Sequence, residues 1–304
     1  MRDYSYALIT AAKNEQSYIR QILQSVVNQT QLPRIWVIVS DASTDLTDEF
    51  VLEFARDYDF IRLLRLNNKG TRAFSRQAFA FNAGYDSIKH MEFDFVGFLD
   101  ADISLNAGYY ETLLGIFKAH PRLGIAGGEI LEYHSGRFQP RFGNASDCVA
   151  GAIQLFRRQC VEGIGGRFIP LQYGGHDSVA GEMARKTGWE IRSFPGLRVF
   201  HHRPTGTAGT ALWRARFRQG LEDYFMGYHP LFEFCKCIRR LSEPPFCIGS
   251  ALQFCAYIYA ALTRQDRVVP DEFVRYLRRA QMRRVLQGLL GVSARIPEYG
   301  KSIE

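Results

Sequence analysis

The stretch 96–105 reads VGFLDADISL, an apolar run that ends in two aspartates one residue apart, Asp100 and Asp102. Bare carboxylates side by side repel, so the pair costs stability unless something compensates it. A shared divalent cation would do so, and oxygen donors suit Mg2+ or Mn2+. A loop that leaves both acids in water would serve equally. Position favours the first arrangement, because a strand end aims both carboxylates into one crevice. Other residues of catalytic type stand at comparable places. Asp41 follows the apolar run IWVIV (35–39), Asp177 follows the pair Gly174–Gly175, and His201 and His202 end the run LRVFHH.

Each of these has a plainer reading beside the chemical one. Asp41 and Asp45 are both placed to cap a helix over 45–57, and Asp45 is the better cap. Asp177 opens the helical segment DSVAGEMARKTG and suits an N-cap, which still leaves a carboxylate lone pair for proton transfer. Glu182 lies five positions on, roughly 140° round that helix, where a structural ion pair is the preferred role. Strand alternation sets His201 on the face of Leu197 and Val199, so a core histidine competes with a metal ligand.

The elements that must hold these residues are legible from periodicity. YALIT (6–10), IWVIV (35–39), FIRLLRL (60–66), FDFVGFL (93–99) and LGIAGGEI (123–130) read as buried strands. Amphipathic segments near 15–28, 45–57, 73–89 and 108–119 read as helices, with starts at Ser43-Thr44-Asp45 and Asn106 and a stop at Pro121. Alternation of this kind predicts an α/β fold: a mainly parallel sheet flanked by helices, with ligands outside the carboxyl ends of the strands. Beyond Thr210 only helices are predicted, near 210–226, 231–241, 246–263 and 271–288. The division is therefore a domain over 1–209 and a helical extension over 210–304.

The chain of 304 residues carries a net charge of +7, unevenly spread. Residues 1–180 hold 18 Lys+Arg against 20 Asp+Glu, and residues 181–304 hold 20 against 11, so −2 is followed by +9. Charge alone admits nucleic acid or an anionic membrane as partner of the basic part. The six cysteines show neither a CxxC pair nor zinc spacing, and are expected to be reduced and mostly buried. The segment FCIGSALQFCAYIYAAL (246–262) lacks charge but is short for a bilayer span. A buried core helix and a helix lying in the membrane interface both fit it.

ITAAKNE (9–15), VSDASTD (39–45), FLDADISL (98–105), GGHDSVAGEMARKTGW (174–189) and VFHHRPTG (199–206) occur in an order that resembles family 2 glycosyltransferases of the GT-A (Rossmann-like) fold. The resemblance covers about residues 5–210, and LEDYFMGYHPLFEFCK (221–236) is similar to bacterial polysaccharide-type members. It implies an inverting, metal-dependent transfer from a nucleotide-sugar, with UDP-sugar as the donor of choice. The acceptor would be a lipid-linked or growing glycan in cell-surface polysaccharide synthesis. Asp102, Asp100 and His201 would hold Mn2+ or Mg2+, and Asp177 would be the catalytic base. Ala11, Glu15, Asp41, Asp100, Lys69 and Arg76 would line the nucleotide-sugar. Ser40 stands where the family usually has the first of two acids, and His176 precedes Asp177. Arg203 and the loop PTGTAG would close over the diphosphate, with a plain surface loop as the equal alternative. Gln281-Met282-Arg283-Arg284 resembles the signature of processive members, but Val285 replaces its tryptophan, and an exposed basic helix is the preferred reading. A cytoplasmic site at the inner face of the membrane is expected, with peripheral contact to anionic lipid and no nucleic-acid partner.

Three other classes predict different residues. A sugar-1-phosphate nucleotidyltransferase needs a glycine-rich loop after the first strand, where this chain has TAAKNEQ. A non-catalytic basic scaffold binding membrane or nucleic acid has no use for Asp41, Asp100, Asp102 and Asp177. A Rossmann dehydrogenase requires G-x-G-x-x-G, which does not follow the first strand.

Overall fold

A computed structural model describes residues 4–67, 74–134, 136–141, 146–203 and 212–290. It divides into two compact units: residues 1–170 with 176–205, and residues 206–304 with the short segment Leu171–Gly175.

The first unit begins as a run of strand–helix repeats. These are β1 (Tyr6–Ala12), α1 (Ile19–Val27), β2 (Ile35–Asp41), α2 (Thr47–Asp57), β3 (Ile61–Leu66), α3 (Phe74–Ile88) and β4 (Phe95–Asp100). Then come β5 (Ile103–Leu105), α4 (Tyr109–Ala119), β6 (Leu123–His134), β7 (Arg137–Pro140), β8 (Ile153–Arg157), α5 (Arg158–Gly163), α6 (His176–Lys186) and β9 (Glu190–His201). The strands lie in the order β3-β2-β1-β4-β8-β6-β9-β5, with β7 beside β6. From β3 to β4 all pairs are parallel. Beyond β4 the sheet is mixed, with β8 antiparallel to both its neighbours and β6 parallel to β9.

Both faces of the sheet are apolar because both are covered. Tyr6, Leu8, Trp36, Ile38, Phe95 and Leu99 pack toward α1, α2 and α4. The alternate positions Ala7, Ile9, Val37, Val39, Val96 and Phe98 pack toward α3, α5 and α6. The chain winds outward from β1 through β2 to β3, then returns across it to place β4 on the other side. That reversal opens a crevice at the carboxyl ends of β1 and β4, where doubly wound sheets take their ligands.

Local signals at the helix starts act differently from their prediction. The residue before α2 is Leu46, and Asp45 lies one position further out, its Oδ1 accepting from the Thr47 N–H at 3.1 Å. The turn thus caps the helix from outside. At α4 it is the Asn106 carbonyl, not its side chain, that accepts from the Tyr109 N–H.

The second unit contains α7 (Leu212–Phe225), α8 (Pro230–Arg239), α9 (Ile248–Leu262) and α10 (Asp271–Leu289). Its core is Leu221, Tyr224 and Phe225 of α7 against Ala256, Tyr257 and Ala260 of α9. The two helices cross at Gly220, where a Cβ would lie 1.9 Å from the Gln253 carbonyl oxygen. Only glycine permits that approach. No described helix is long and apolar enough to cross a membrane. The uncharged segment 246–262 becomes a helix with one buried face, Gly249, Ser250, Gln253, Ala256, Tyr257 and Ala260, and one exposed face.

Two expectations are corrected. Cys160 and Cys237 are buried, but Cys148, Cys247 and Cys255 are exposed, because the last two sit on the outward side of α9 and its start. Gln281 belongs to no exposed basic face: it is buried, and its Oε1 accepts from the His229 N–H at 2.8 Å, joining α10 to the start of α8.

Candidate active site at the strand ends

β4 carries Asp100 as its last residue, opposite Ala11 of β1 in register. The chain then turns at Ala101 and Asp102 into β5, which runs antiparallel to β9 with Ile103 opposite His201. That pairing brings together residues about a hundred positions apart. Asp100, Asp102 and His201 each offer a ligand atom within 4.8 Å of the others.

Asp102 is buried and both its oxygens are engaged. Oδ1 lies 3.1 Å from His201 Nε2, and Oδ2 lies 2.6 Å from the Arg203 guanidinium. Arg203 also donates to Glu15 Oε1 at 3.0 Å and lies 5.4 Å above the Tyr18 ring. Burial alone would raise the Asp102 carboxyl, but the His201 hydrogen bond and the positive charge of His201 and Arg203 outweigh it and hold it low. His201 moves the other way: burial opposes its charge, yet Asp102, Asp100 and Glu132 raise it.

Asp100 takes the opposite course from Asp102. Burial, the Asp102 charge and the nearby Asp177 carboxylate push it up to about 7, against the weaker help of His201 and Gln77. The Gln77 amide donates to Asp100 Oδ1 at 2.6 Å. A carboxylate so disfavoured is a place where a cation would be welcome. Two carboxylate oxygens and an imidazole nitrogen make a donor set that fits Mn2+ or Mg2+.

Asp177 lies in the first turn of α6. Its side chain rests against Gly151, where an added Cβ would come within 2.6 Å of Asp177 Oδ2. His176 beside it turns inward between Phe81 and Phe168, with ring centroids at 6.0 and 5.4 Å. Burial lowers its pKa despite the Asp177 charge, so the ring is neutral and fills an aromatic pocket. Glu182 pairs with Arg185 at 2.6 Å. His202 faces away from the acids toward Ser104 Oγ, 2.8 Å, and the Phe138 ring.

At the end of β2, Asp41 is buried and gripped by both guanidinium arms of Arg76, with Lys13 Nζ at 3.8 Å. Arg76 and Gln77 are consecutive on α3 and reach different acids, Asp41 and Asp100. The helix thereby braces two strand ends at once. Glu15 is buried between Arg203 and the start of α2, where its own N–H donates to Thr47 Oγ1 at 2.8 Å. Ala11, half-buried in β1, lines the crevice beside Asp100. Lys69 and the loop PTGTAG lie outside the described residues.

The site thus unites Glu15, Asp100, Asp102, Asp177, His201 and Arg203, with Asp41 at the neighbouring strand end held by Arg76 of α3. Sequence reading missed Gln77, Gly151 and the Arg203–Glu15 link. Gln77 had an available signal, since it adjoins Arg76 on a helix whose start faces the crevice. Gly151 had none, because its role depends on an approach between segments distant in the chain.

Known proteins resemble this chain in sequence and in fold. The pattern of the family described as glycosyl transferase family 2 covers residues 7–162. Poly-beta-1,6-N-acetyl-D-glucosamine synthase of Staphylococcus aureus (strain COL) is 26% identical over 248 residues, 71% of this chain and 56% of that protein. The Staphylococcus epidermidis protein of the same name is 26% identical over 207 residues, 62% of this chain and 46% of its own length. The chain thus spans about half the length of the curated relatives it matches. Among solved structures, S. aureus TarS 1–349 in complex with UDP-GlcNAc aligns with 93% of this chain and 81% of its own, at a TM-score of 0.54 and 15% identity. The mannosyltransferase PcManGT from Pyrobaculum calidifontis, in complex with GDP-Man and Mn2+, covers 95% and 88%, at a TM-score of 0.53 and 18% identity. At such identities the structural likeness speaks for the shared GT-A fold. With its pattern matched over half its length on that fold, the chain belongs to the family 2 glycosyltransferases.

Proposed function

We propose that this chain transfers a sugar, with inversion, from a UDP-sugar to a hydroxyl of a lipid-linked or growing glycan in cell-surface polysaccharide synthesis. The observation that carries the reading is the convergence of Asp100, Asp102 and His201 within 4.8 Å at the crevice between β1 and β4. The names of the relatives, polysaccharide synthases, and the UDP-GlcNAc bound to a structural neighbour support the substrate class. The acceptor and the basic helical unit would meet at the anionic inner face of the cytoplasmic membrane.

Asp100, Asp102 and His201 would hold Mn2+ or Mg2+, which when bound offsets the charge that develops on the departing diphosphate. Asp41, with Arg76 and Lys13, lines the nucleotide end, where its carboxylate accepts from a uracil N–H. Arg203, anchored on Glu15, offers a guanidinium to phosphate oxygens. Asp177 takes the proton of the acceptor hydroxyl as that oxygen attacks the anomeric carbon and the sugar–phosphate bond breaks on the opposite face.

Calorimetric titration of UDP, GDP and dTDP, each with and without Mn2+, tests the reading. Binding of UDP that depends on Mn2+ is expected, with weaker binding of the others. A chain that binds no nucleotide under any condition would instead be a scaffold that only retains the fold. Asp177→Asn should keep UDP binding and lower transfer by at least about a hundredfold. Normal transfer by that variant would remove Asp177 from the role of base.

A further inference from the structure

The helical unit carries apolar side chains on its outside that its own core does not use. Along α8, Leu231, Phe234 and Ile238 recur at spacings of three and four, and each is nearly half exposed. The buried residues of that helix, Glu233 and Cys237, occupy the adjacent flank. α9 contains no charged residue, and its outward side presents Ile248, Tyr259 and Leu262, at 64, 56 and 79% exposure. Phe234 of α8 meets Phe254 of α9 at 5.6 Å between ring centroids, so the two outward faces adjoin. Phe246, 65% exposed, extends the patch at the entry to α9.

Charge surrounds this surface. Arg239 closes α8 and Arg264 follows α9, both exposed. Over residues 212–290 the unit holds 13 Lys+Arg against 7 Asp+Glu, a net +6. A second copy of the chain seated on the same face would set these arginines against each other. A surface of negative charge with an apolar layer beneath suits both components. α9, at 15 residues, spans only about 22 Å and cannot bridge a hydrocarbon core of about 30 Å, so such a helix lies in the plane of the interface.

We infer that the adjoining outer faces of α8 and α9 are the surface through which the helical unit lies on an anionic lipid bilayer. Phe234, Ile238, Ile248 and Leu262 enter the boundary of the acyl chains, and Arg239 and Arg264 stay at the level of the lipid phosphates. The inference rests on the membrane-held acceptor proposed above and assigns the contact to named side chains.

Sedimentation of the full chain with vesicles tests it. Wild-type protein should bind vesicles that contain phosphatidylglycerol, bind phosphatidylcholine vesicles weakly, and lose affinity as salt rises. The double variant Phe234→Ser/Ile238→Ser should bind at least about tenfold more weakly, since two apolar side chains no longer enter the acyl boundary. Its far-UV circular dichroism and thermal unfolding report whether it is folded, and the wild-type lipid and salt series needs no variant. Equal binding of the two vesicle types, no binding at all, or full binding by a folded double variant overturns the inference. So does a wild-type dimer in sedimentation velocity that the double variant abolishes. Mn2+-dependent UDP binding measured in the same samples separates the two readings. UDP binding without vesicle binding sinks this surface alone, whereas vesicle binding without UDP binding supports the surface and sinks the donor.

Discussion

Asp100 and Asp102 in the sheet unit, and Asp223 and Glu233 in the helical unit, are both close acid pairs, with every acid but Asp100 buried. The helical pair is closed by its own chain. Lys236 Nζ lies 2.6 Å from Asp223 and 3.9 Å from Glu233, and the Gln253 amide lies 3.0 Å from each. The Cys237 thiol adds a contact to Glu233 at 3.3 Å. Burial and the neighbouring Asp223 push Glu233 up to about 7, so it can hold a proton and leave Asp223 and Lys236 as a neutral pair. In the sheet unit the cationic groups, His201 and Arg203, both converge on Asp102, while Asp100 receives the neutral Gln77 amide and faces Asp177. Asp100 and Asp177 are also only half-buried. Two buried acids are therefore no sign of a site in themselves. What distinguishes a site is negative charge in excess of the resident cations, with a side left open.

The contrast can be broken most directly at its two ends. Asp102→Asn should reduce transfer by about a thousandfold, some 4 kcal/mol of barrier. Mn2+ is expected to raise the Tm of the wild type, and the variant should lack that rise. A variant that still responds to Mn2+ in a thermal-shift assay would show the cation to be held elsewhere. Asp223→Asn should act on stability instead, because it takes from the half-buried Lys236 its nearer acid and leaves only Glu233 at 3.9 Å. A loss of roughly 3–5 kcal/mol is expected in urea unfolding. An unchanged midpoint would mean that the helical cluster is not closed by charge.

A smaller effect sharpens the geometry of the open site. Gly151→Ala would force the Asp177 carboxylate aside, since its Cβ has no room beside Oδ2. Transfer should fall about 10–100-fold with UDP affinity unchanged. A fall in affinity instead would show that Gly151 serves the donor.

The smallest effect is in pH. Glu233 has its pKa raised in the folded chain from 4.5 to about 7, so the fold binds this proton more tightly than the unfolded chain does. Its contribution to stability is full below pH 4.5 and is lost as pH rises through 7. Glu233→Gln should flatten that decline, by on the order of 1 kcal/mol or more between pH 5 and 8. A wild type whose stability rises over this range would contradict the assignment.

How much of this was legible depended on the range of the interaction. Strands such as IWVIV and helices such as 108–119 follow from periodicity, a property of neighbouring residues, and their bounds shifted by only a few positions. Asp41 and Asp100 at strand ends were readable for the same reason. Between His201 and His202 the alternation of a single strand gave only a preference, and it took the β5–β9 pairing to turn one toward Asp102 and the other toward Ser104. Gln281 was misread because a basic stretch hides one buried amide among exposed arginines. The exposed cysteines of the helical unit were misread because a helix without charge looks like core on all sides, yet α9 is buried on only one.

The amino-acid order by itself determined which segments become strands and helices, and that acids stand where strands end, because hydrophobic period and side-chain charge are local quantities. Only the folded chain decided that β4 crosses back beside β1, that β9 lays His201 against Asp102, and that Gly151 leaves room for Asp177. Those outcomes depend on packing between segments up to a hundred residues apart, where the free energy lies in surfaces fitting one another and no local pattern records it.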